Sequence, residues 1–410
     1  MNTRVPYSEY MYLPTVSHQW STYEDILQPV CSQRDITPDQ LREILQSVAE
    51  VYTRKDRATH FYKELPRMLW KLPVEERSYF LGVAVPEMAK RATEIESIVG
   101  AKTIILLRKR RGGGETRTVF FTPYQASALL SLAFFGVPMY WPDGDDGIGR
   151  PFVRFNFAHF FHDRHSQIHA DTDRIEDASG LLQADFANCR VGGGALSSGC
   201  VQEEIRFMIC PELILSILVG AVDPLADYES MYIHGAIQFT DYTGYASSFS
   251  CSGYVDKVAA QQSDCLIVMD ALHFDQDLVN QSTQYDPKHI LREVNKCHIA
   301  VTAPGLPEGV ALATGNWGCG VFGGDPQLKS ILQWLACSVA GRDMNYFPYG
   351  DSRVAELGRV ALVAEQEGWT VGDLAAKILL YVANWANKFQ DSDFQHVCSA
   401  LTVRLSGESL

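Results

Sequence analysis

Three successive glycines, Gly192-Gly193-Gly194, separate the stretch Asp185-Phe186-Ala187-Asn188 from a helix-like run that opens Gln202-Glu203-Glu204-Ile205-Arg206-Phe207. Residues without a Cβ take left-handed backbone angles freely and let the chain approach another molecule closely. Three together do not belong inside a helix or a strand, so the chain turns here. Bare amides ahead of a helix N-terminus form a nest that receives anions, phosphates among them. No Gly-Lys-Ser or Gly-Lys-Thr follows, which excludes an ATP-type P-loop, and the usual dinucleotide fingerprint is absent too. The same letters also fit a plain glycine turn before a helix with solvent-facing acids.

The acids give the segment a chemistry. Cleavage at a glycosidic carbon needs a carboxyl that protonates the leaving oxygen. It also needs a carboxylate that activates water or steadies a cationic transition state. Asp185, Glu203 and Glu204 supply such groups at the two ends of the glycine loop, and a helix start stabilises carboxylates placed there. Downstream, Asp241-Tyr242-Thr243-Gly244-Tyr245 sets two tyrosines where they can stack on a base, or simply pack a surface loop. A second glycine-rich loop, Asn316-Trp317-Gly318-Cys319-Gly320-Val321-Phe322-Gly323-Gly324-Asp325, precedes another helix start at Pro326. Two such loops favour a phosphate-bearing ligand more than either alone. His273, Asp275 and Asp277 have the chemistry of cation ligands but read more simply as a strand end running into an acidic turn, and no His-Glu-x-x-His or cysteine cluster supports zinc.

Around these motifs the chain reads as two halves, 1–150 and 151–410, divided near the turn-rich Pro142–Gly147 stretch. The first is mainly helical. Thr37-Pro38-Asp39-Gln40 and Thr122-Pro123 are helix starts. Leu41, Ile44, Leu45, Val48 and Tyr52 follow the first at helical spacing. Phe61, Leu65 and Leu69 form another stripe, and a further stretch runs from Tyr79 to Val99. This half reads as an all-helical layer without a catalytic constellation. Its basic run, Arg108-Lys109-Arg110-Arg111, reads as a solvated loop, with a nuclear import signal or an anion contact as the functional alternatives.

The second half alternates. Expected strands are 217–219, 231–234, 265–269, 298–301 and 346–348; expected helices are 202–209, 289–297, 326–340, 352–366 and 371–387. Short strands separated by helices define an α/β sheet with helices on its faces.

Composition narrows the function classes. With 46% hydrophobic and 20% charged residues in 410, the chain is globular rather than disordered or coiled-coil. Its formal net charge of −14 argues against a diffuse basic surface that coats nucleic acid. A local anion pocket remains compatible with it. The ten cysteines contain no Cys-x-x-Cys, no apolar run reaches membrane-span length, and the first thirty residues lack a secretory pattern. A soluble protein of a reducing compartment is the expectation.

The motifs together resemble the poly(ADP-ribose) glycohydrolase family, whose signature is three glycines followed by Gln-Glu-Glu. Here Gly192–Gly194 with Gln202-Glu203-Glu204 carries it, with Asp185-Phe186-Ala187-Asn188, Tyr242-Thr243-Gly244-Tyr245, the Asn316–Asp325 loop and Phe347-Pro348-Tyr349-Gly350-Asp351 in the same order. The resemblance implies a macrodomain-like mixed sheet flanked by helices, preceded by a mainly helical accessory domain. It implies hydrolysis of the ribose–ribose O-glycosidic bonds of poly(ADP-ribose), with removal of mono-ADP-ribose from protein, or noncatalytic ADP-ribose binding, as alternatives.

Carried over position by position, Glu204 is the acid/base, Glu203 and Asp185 hold ribose hydroxyls, and Asn188 contacts the ribose beside the cleaved bond. Gly192, Gly193 and Gly194 surround diphosphate and ribose. Ile175 and Glu176 flank the adenine, with Gln202 nearby. Tyr245 contacts substrate, Asn316 belongs to the second loop, and Gly320, Val321 and Phe322 line the diphosphate and distal ribose. Tyr349 stands where the family commonly has phenylalanine. The family route needs no metal or redox cofactor. The resemblance further implies poly(ADP-ribosyl)ated proteins as partners, no direct DNA or membrane binding, a monomer, and residence in nucleus, cytoplasm or both.

Overall fold

A computed structural model describes residues 9–53, 58, 62–107, 118–143, 147–152, 174–220, 223–255, 264–274 and 282–386. Phe61, the basic run at 108–111, Asp275, Asp277 and Asn387 lie outside the described residues. The chain divides into two compact units, one formed by 1–168, 192–223 and 242–252, the other by 169–191, 224–241 and 253–410.

In the first unit both expected helix starts are capping boxes. The Gln40 amide donates to Thr37 Oγ1 and the Thr37 amide to Gln40 Oε1, at 3.2 and 2.8 Å, and Thr122 and Gln125 repeat the exchange at 3.2 and 3.0 Å. Each satisfies amides that a helix start leaves without a partner. The helix Pro38–Tyr52 buries Leu41, Leu45, Val48 and Ala49, while Ile44 and Tyr52 are half-buried at its edges. Pro123–Phe135 buries Ala126, Leu129, Ala133 and Phe134 and stops at Gly136, whose φ of 73° is the left-handed helix stop. The expected 79–99 stretch is several pieces: Val74–Tyr79, a π-turn at Phe80–Ala84, Val85–Thr93 and Ile95–Val99. Pro86 sits at the start of the third piece and brings no amide to an α-helical ladder, consistent with the break.

The unit is not an all-helical layer. Thr103–Ile105, Tyr10–Tyr12, Met139–Asp143 and Gly147–Phe152 form an antiparallel sheet in that order. Its strands are short, and apart from the adjacent pair Met139–Asp143 and Gly147–Phe152 they lie far apart along the chain.

The second unit is built on a five-stranded sheet ordered Met344–Phe347, Leu312–Gly315, Leu182–Ala187, Asp264–Asp270, Met231–Ala236. Its first four strands are parallel and the last is antiparallel. Helices Pro287–Val301 and Pro326–Ala340 contribute Ile290, Val294, Cys297, Leu328, Leu332 and Leu335 to a core shared with Leu182, Ile267, Met269 and Leu312. Parallel strands covered in this way are buried on both faces.

Two expected strands are helical. Residues 217–219 end the helix Ile214–Val219, all of it buried, and 298–301 are the last turn of Pro287–Val301. A short β-branched apolar run inside a buried helix has no polar face to show its period. Conversely, Leu182–Ala187 is a strand that its pattern hides, because Gln183 and Asp185 are polar yet buried. The expected 352–366 helix begins as a 3-10 turn, Ser352–Val354, before Leu357–Gln366. No helix among the described residues is long and apolar enough to cross a membrane.

Candidate active site

The glycine triplet wraps the two glutamates. The Gly192 amide donates to Glu203 Oε1 at 2.5 Å, and the Gly194 amide to Glu204 Oε1 at 2.8 Å. The Val201 amide, preceding the helix Gln202–Ile209, donates to Glu204 Oε2 at 3.0 Å. Both carboxylates are buried, at 2% and 6% exposure. Carboxyl groups so enclosed need hydrogen bonds. Here the loop amides and the helix start supply them.

The loop reaches the glutamates because it folds on itself. Ala195 donates to the Gly192 carbonyl, and Ser197 and Gly199 donate to that of Gly194, at 2.8, 2.8 and 3.1 Å. Glycine is required at Gly193, where φ is +44° and a Cβ would lie 2.5 Å from Glu204 Oε1 and 2.6 Å from Glu203 Oε2. A Cβ at Gly199 would meet the Glu204 side chain at 2.6 Å. Spacing alone therefore missed the central feature: the backbone that precedes the glutamates also clamps them.

The same unit carries Tyr242 and Tyr245, which part company. Tyr242 is buried with its ring 5.7 Å from Phe249, whereas Tyr245 is 38% exposed. The Tyr245 amide donates to Ser248 Oγ at 2.8 Å, and Gly244 turns the chain with φ +76° against Ser248.

In the second unit, Asp185 lies on the central strand Leu182–Ala187, opposite Val268, with no exposed surface. Asn188 follows the strand end and turns the chain by accepting from the Arg190 amide at 3.0 Å. Asn316 follows the neighbouring strand Leu312–Gly315. It accepts from Tyr346 Oη at 2.7 Å and donates to the Pro348 carbonyl and to Asp351 at 3.2 and 3.0 Å. That contact ties the second glycine loop to the turn carrying Tyr349.

Arg353 grips Asp351 at 2.7 Å, and its hydrogen bonds hold the Asp351 carboxyl below the ordinary aspartate range. Burial pushes the Tyr346 hydroxyl and the Cys319 thiol up, so Cys319 stays an unreactive thiol inside the loop. Val321 is 61% exposed, and the Phe322 carbonyl accepts from the Phe274 amide at 2.8 Å while its ring lies 5.0 Å from His273. Gly320 closes the turn by accepting from the Gly323 amide at 3.1 Å.

Ile175 and Glu176 sit buried on the 3-10 turn Ile175–Asp177. Arg174, just before it, forks onto Asp177 and reaches Asp241, each at 2.9 Å. Tyr349 shares this neighbourhood: burial raises its phenol, opposed by Arg174 and reinforced by Glu176. It is 42% exposed and holds φ at +51°, a left-handed angle that is uncommon for a bulky residue. A buried carboxylate beside a half-open ring suits a planar base with an exocyclic amine. Arg174 was not singled out in the sequence, and Asp241 entered only as the first residue of the tyrosine motif; the fold pairs them at this turn. Among the described residues, no cluster of three or more His, Cys, Asp or Glu side chains could hold a metal ion.

Comparison with known proteins bears on the family and the fold. Residues 160–356 match the poly(ADP-ribose) glycohydrolase macro domain fold, and residues 72–175 match the helical domain of the same family. Poly(ADP-ribose) glycohydrolase 1 of Arabidopsis thaliana is 34% identical, over 51% of this chain and 50% of its own. Poly(ADP-ribose) glycohydrolase 2 of Caenorhabditis elegans is 34% identical, over 45% and 41%, and the worm's glycohydrolase 1 is 32% identical, over 50% and 28%. The matches thus span half or less of each relative's length. With both domains of one family matched in chain order across residues 72–356, the chain belongs to the poly(ADP-ribose) glycohydrolase family.

Proposed function

We propose that the chain hydrolyses the ribose–ribose O-glycosidic bonds of poly(ADP-ribose) and releases ADP-ribose. The observation that carries this reading is the pair of buried glutamates, each held by glycine-loop amides. A binding module would need the glycine loops for a diphosphate but has no use for two enclosed carboxylates beside them.

Glu204, in its acid form, gives its proton to the departing ribose oxygen as the C–O bond breaks. The anomeric carbon becomes oxocarbenium-like. The ionised Glu204 then takes a proton from water, whose oxygen bonds to that carbon, and the acid is restored. Glu203 and Asp185 hold ribose hydroxyls, and Asn188 holds the ribose next to the cleaved bond. The amides of the Asn316–Asp325 loop receive the diphosphate, and its charge helps to steady the cationic centre. Ile175, Glu176 and Tyr349 enclose the adenine, and Tyr245 contacts the chain.

The test is wild-type protein on two substrates: chains of defined length on a carrier protein, and the same carrier bearing one ADP-ribose. The expected result is chain shortening with free ADP-ribose as the dominant product. Release from the single-unit substrate alone would assign the protein-linked bond instead. Binding of chains without shortening would leave only a reader.

A further inference from the structure

Beneath the Asn316–Asp325 loop the second unit buries a chain of charges. Lys329, on the helix Pro326–Ala340 and 2% exposed, lays its ammonium over the Trp317 ring, 3.5 Å from its centre, and against Glu293 Oε2. Glu293 also accepts from Arg292 at 2.6 Å and from the Leu272 amide at 3.2 Å. Arg292 continues to Asp270 at 2.6 Å, and Asp270 to Lys296 at 2.6 Å. The only further carboxylate on Arg292 among the described residues is Asp227, at 2.9 Å and 74% exposed.

Such a chain is weakly explained by stability, because apolar residues of similar volume commonly replace buried ion pairs at no loss. Burial indeed pushes the Lys329 ammonium well below the ordinary lysine range. What the lysine touches explains it better. A methyl at Gly318 would come 3.3 Å from Lys329 Cε, and one at Gly324 3.5 Å from its Cγ. Those two glycines close the loop through the Gly324 amide on the Gly318 carbonyl at 2.9 Å. Trp317, fully buried, is fixed in turn by its Nε1 on the Met269 carbonyl at 3.0 Å. A side chain at either glycine would thus press on the lysine stem, at Gly318 together with Ala271.

We propose that Lys329 is a positioning residue: its stem, braced by Trp317 and Glu293, sets the shape of the Gly318–Gly324 turn, and so the amides that hold the ADP-ribose diphosphate. The proposal rests on the function argued above. It places Lys329 behind the loop, out of contact with substrate.

The experiment measures ADP-ribose affinity by calorimetry, and kcat and KM on poly(ADP-ribose), for wild type, Lys329→Met and Glu293→Gln, with thermal melts alongside. Lys329→Met should raise Kd and KM about ten-fold with kcat within about two-fold, the signature of lost binding without lost chemistry. Glu293→Gln keeps the lysine but loosens the carboxylate that braces it, and should raise Kd by about three-fold. A folded Lys329→Met with wild-type Kd and KM overturns the proposal, even with a lowered melting temperature. If that variant does not fold, an unchanged Kd in Glu293→Gln overturns it. Wild-type protein that neither binds ADP-ribose nor cleaves the polymer would instead sink the functional reading itself.

Discussion

Gly193 is the position where a side chain would disturb both glutamates directly. Any Cβ there would press on both carboxylates at once, 2.5 Å from Glu204 Oε1 and 2.6 Å from Glu203 Oε2, at a backbone angle unfavourable for side chains. Gly193→Ala should lower kcat/KM at least about 100-fold, because a displacement near 1 Å at reacting groups costs that much. Near-normal kcat/KM would mean that the glutamates need not be where the loop holds them.

Tyr349 is constrained in the opposite sense, since its φ of +51° is one a glycine would adopt without strain. Tyr349→Gly should be more stable to unfolding than Tyr349→Ala by about 1 kcal/mol, and both should weaken ADP-ribose binding about ten-fold through lost stacking. Tyr349→Phe should keep Kd within about two-fold if the ring, rather than the phenol, makes the contact. Melting curves and calorimetry read both effects, and a Tyr349→Gly no more stable than Tyr349→Ala would contradict the strain.

At the scale of elements, Asp351 ties the Tyr349 turn to the second glycine loop through Asn316 and Arg353. Its carboxyl lies below the ordinary value of 3.8, chiefly through the Arg353 hydrogen bond. A lowered folded-state value means that the unfolded chain takes up the proton first. The stabilisation is therefore complete above the unfolded value and is lost as pH falls from about 4 through the folded value. Melts between pH 3 and 6 should show the gap between wild type and Asp351→Asn narrowing below pH 4. A gap independent of pH would contradict the assignment. Thr122→Ala, which removes the oxygen capping the Gln125 amide, should cost about 1 kcal/mol in the same melts.

What was legible in the sequence follows from the same physics. The helices at 38–52 and 123–135 announced themselves because cap, proline and apolar stripe agree locally. The central strand Leu182–Ala187 did not, since Gln183 and Asp185 break its apolar run. The glutamate pair was readable as chemistry, but its amide clamp was not, because that depends on the Gly192–Gly199 turns closing in three dimensions. The Lys329 chain was invisible for a similar reason: Asp270, Glu293, Trp317 and Lys329 come from separate elements, each unremarkable in its own surroundings.

For the whole molecule, the net charge of −14 decides how a polyanion is held. A basic groove is not available on average, so on the proposed function the grip falls to loop amides and ring stacking. Binding that releases few counterions changes little with salt. The affinity for poly(ADP-ribose) should therefore fall only a few-fold between 50 and 200 mM salt, values typical of such titrations, against roughly 1,000-fold or more for a protein neutralising many phosphates. A steep slope would point to basic contacts outside the site described.

The central claim is that Glu204, clamped by Gly194 and Val201, does the chemistry. It is tested most directly by comparing wild type with Glu204→Gln on poly(ADP-ribose) of defined length, with products resolved by size and binding measured in parallel. Glu204→Gln should bind the polymer much as wild type does, while its turnover falls by about 100- to 10,000-fold, the range ascribed to general acid–base catalysis. Chain shortening at close to the wild-type rate would contradict the claim.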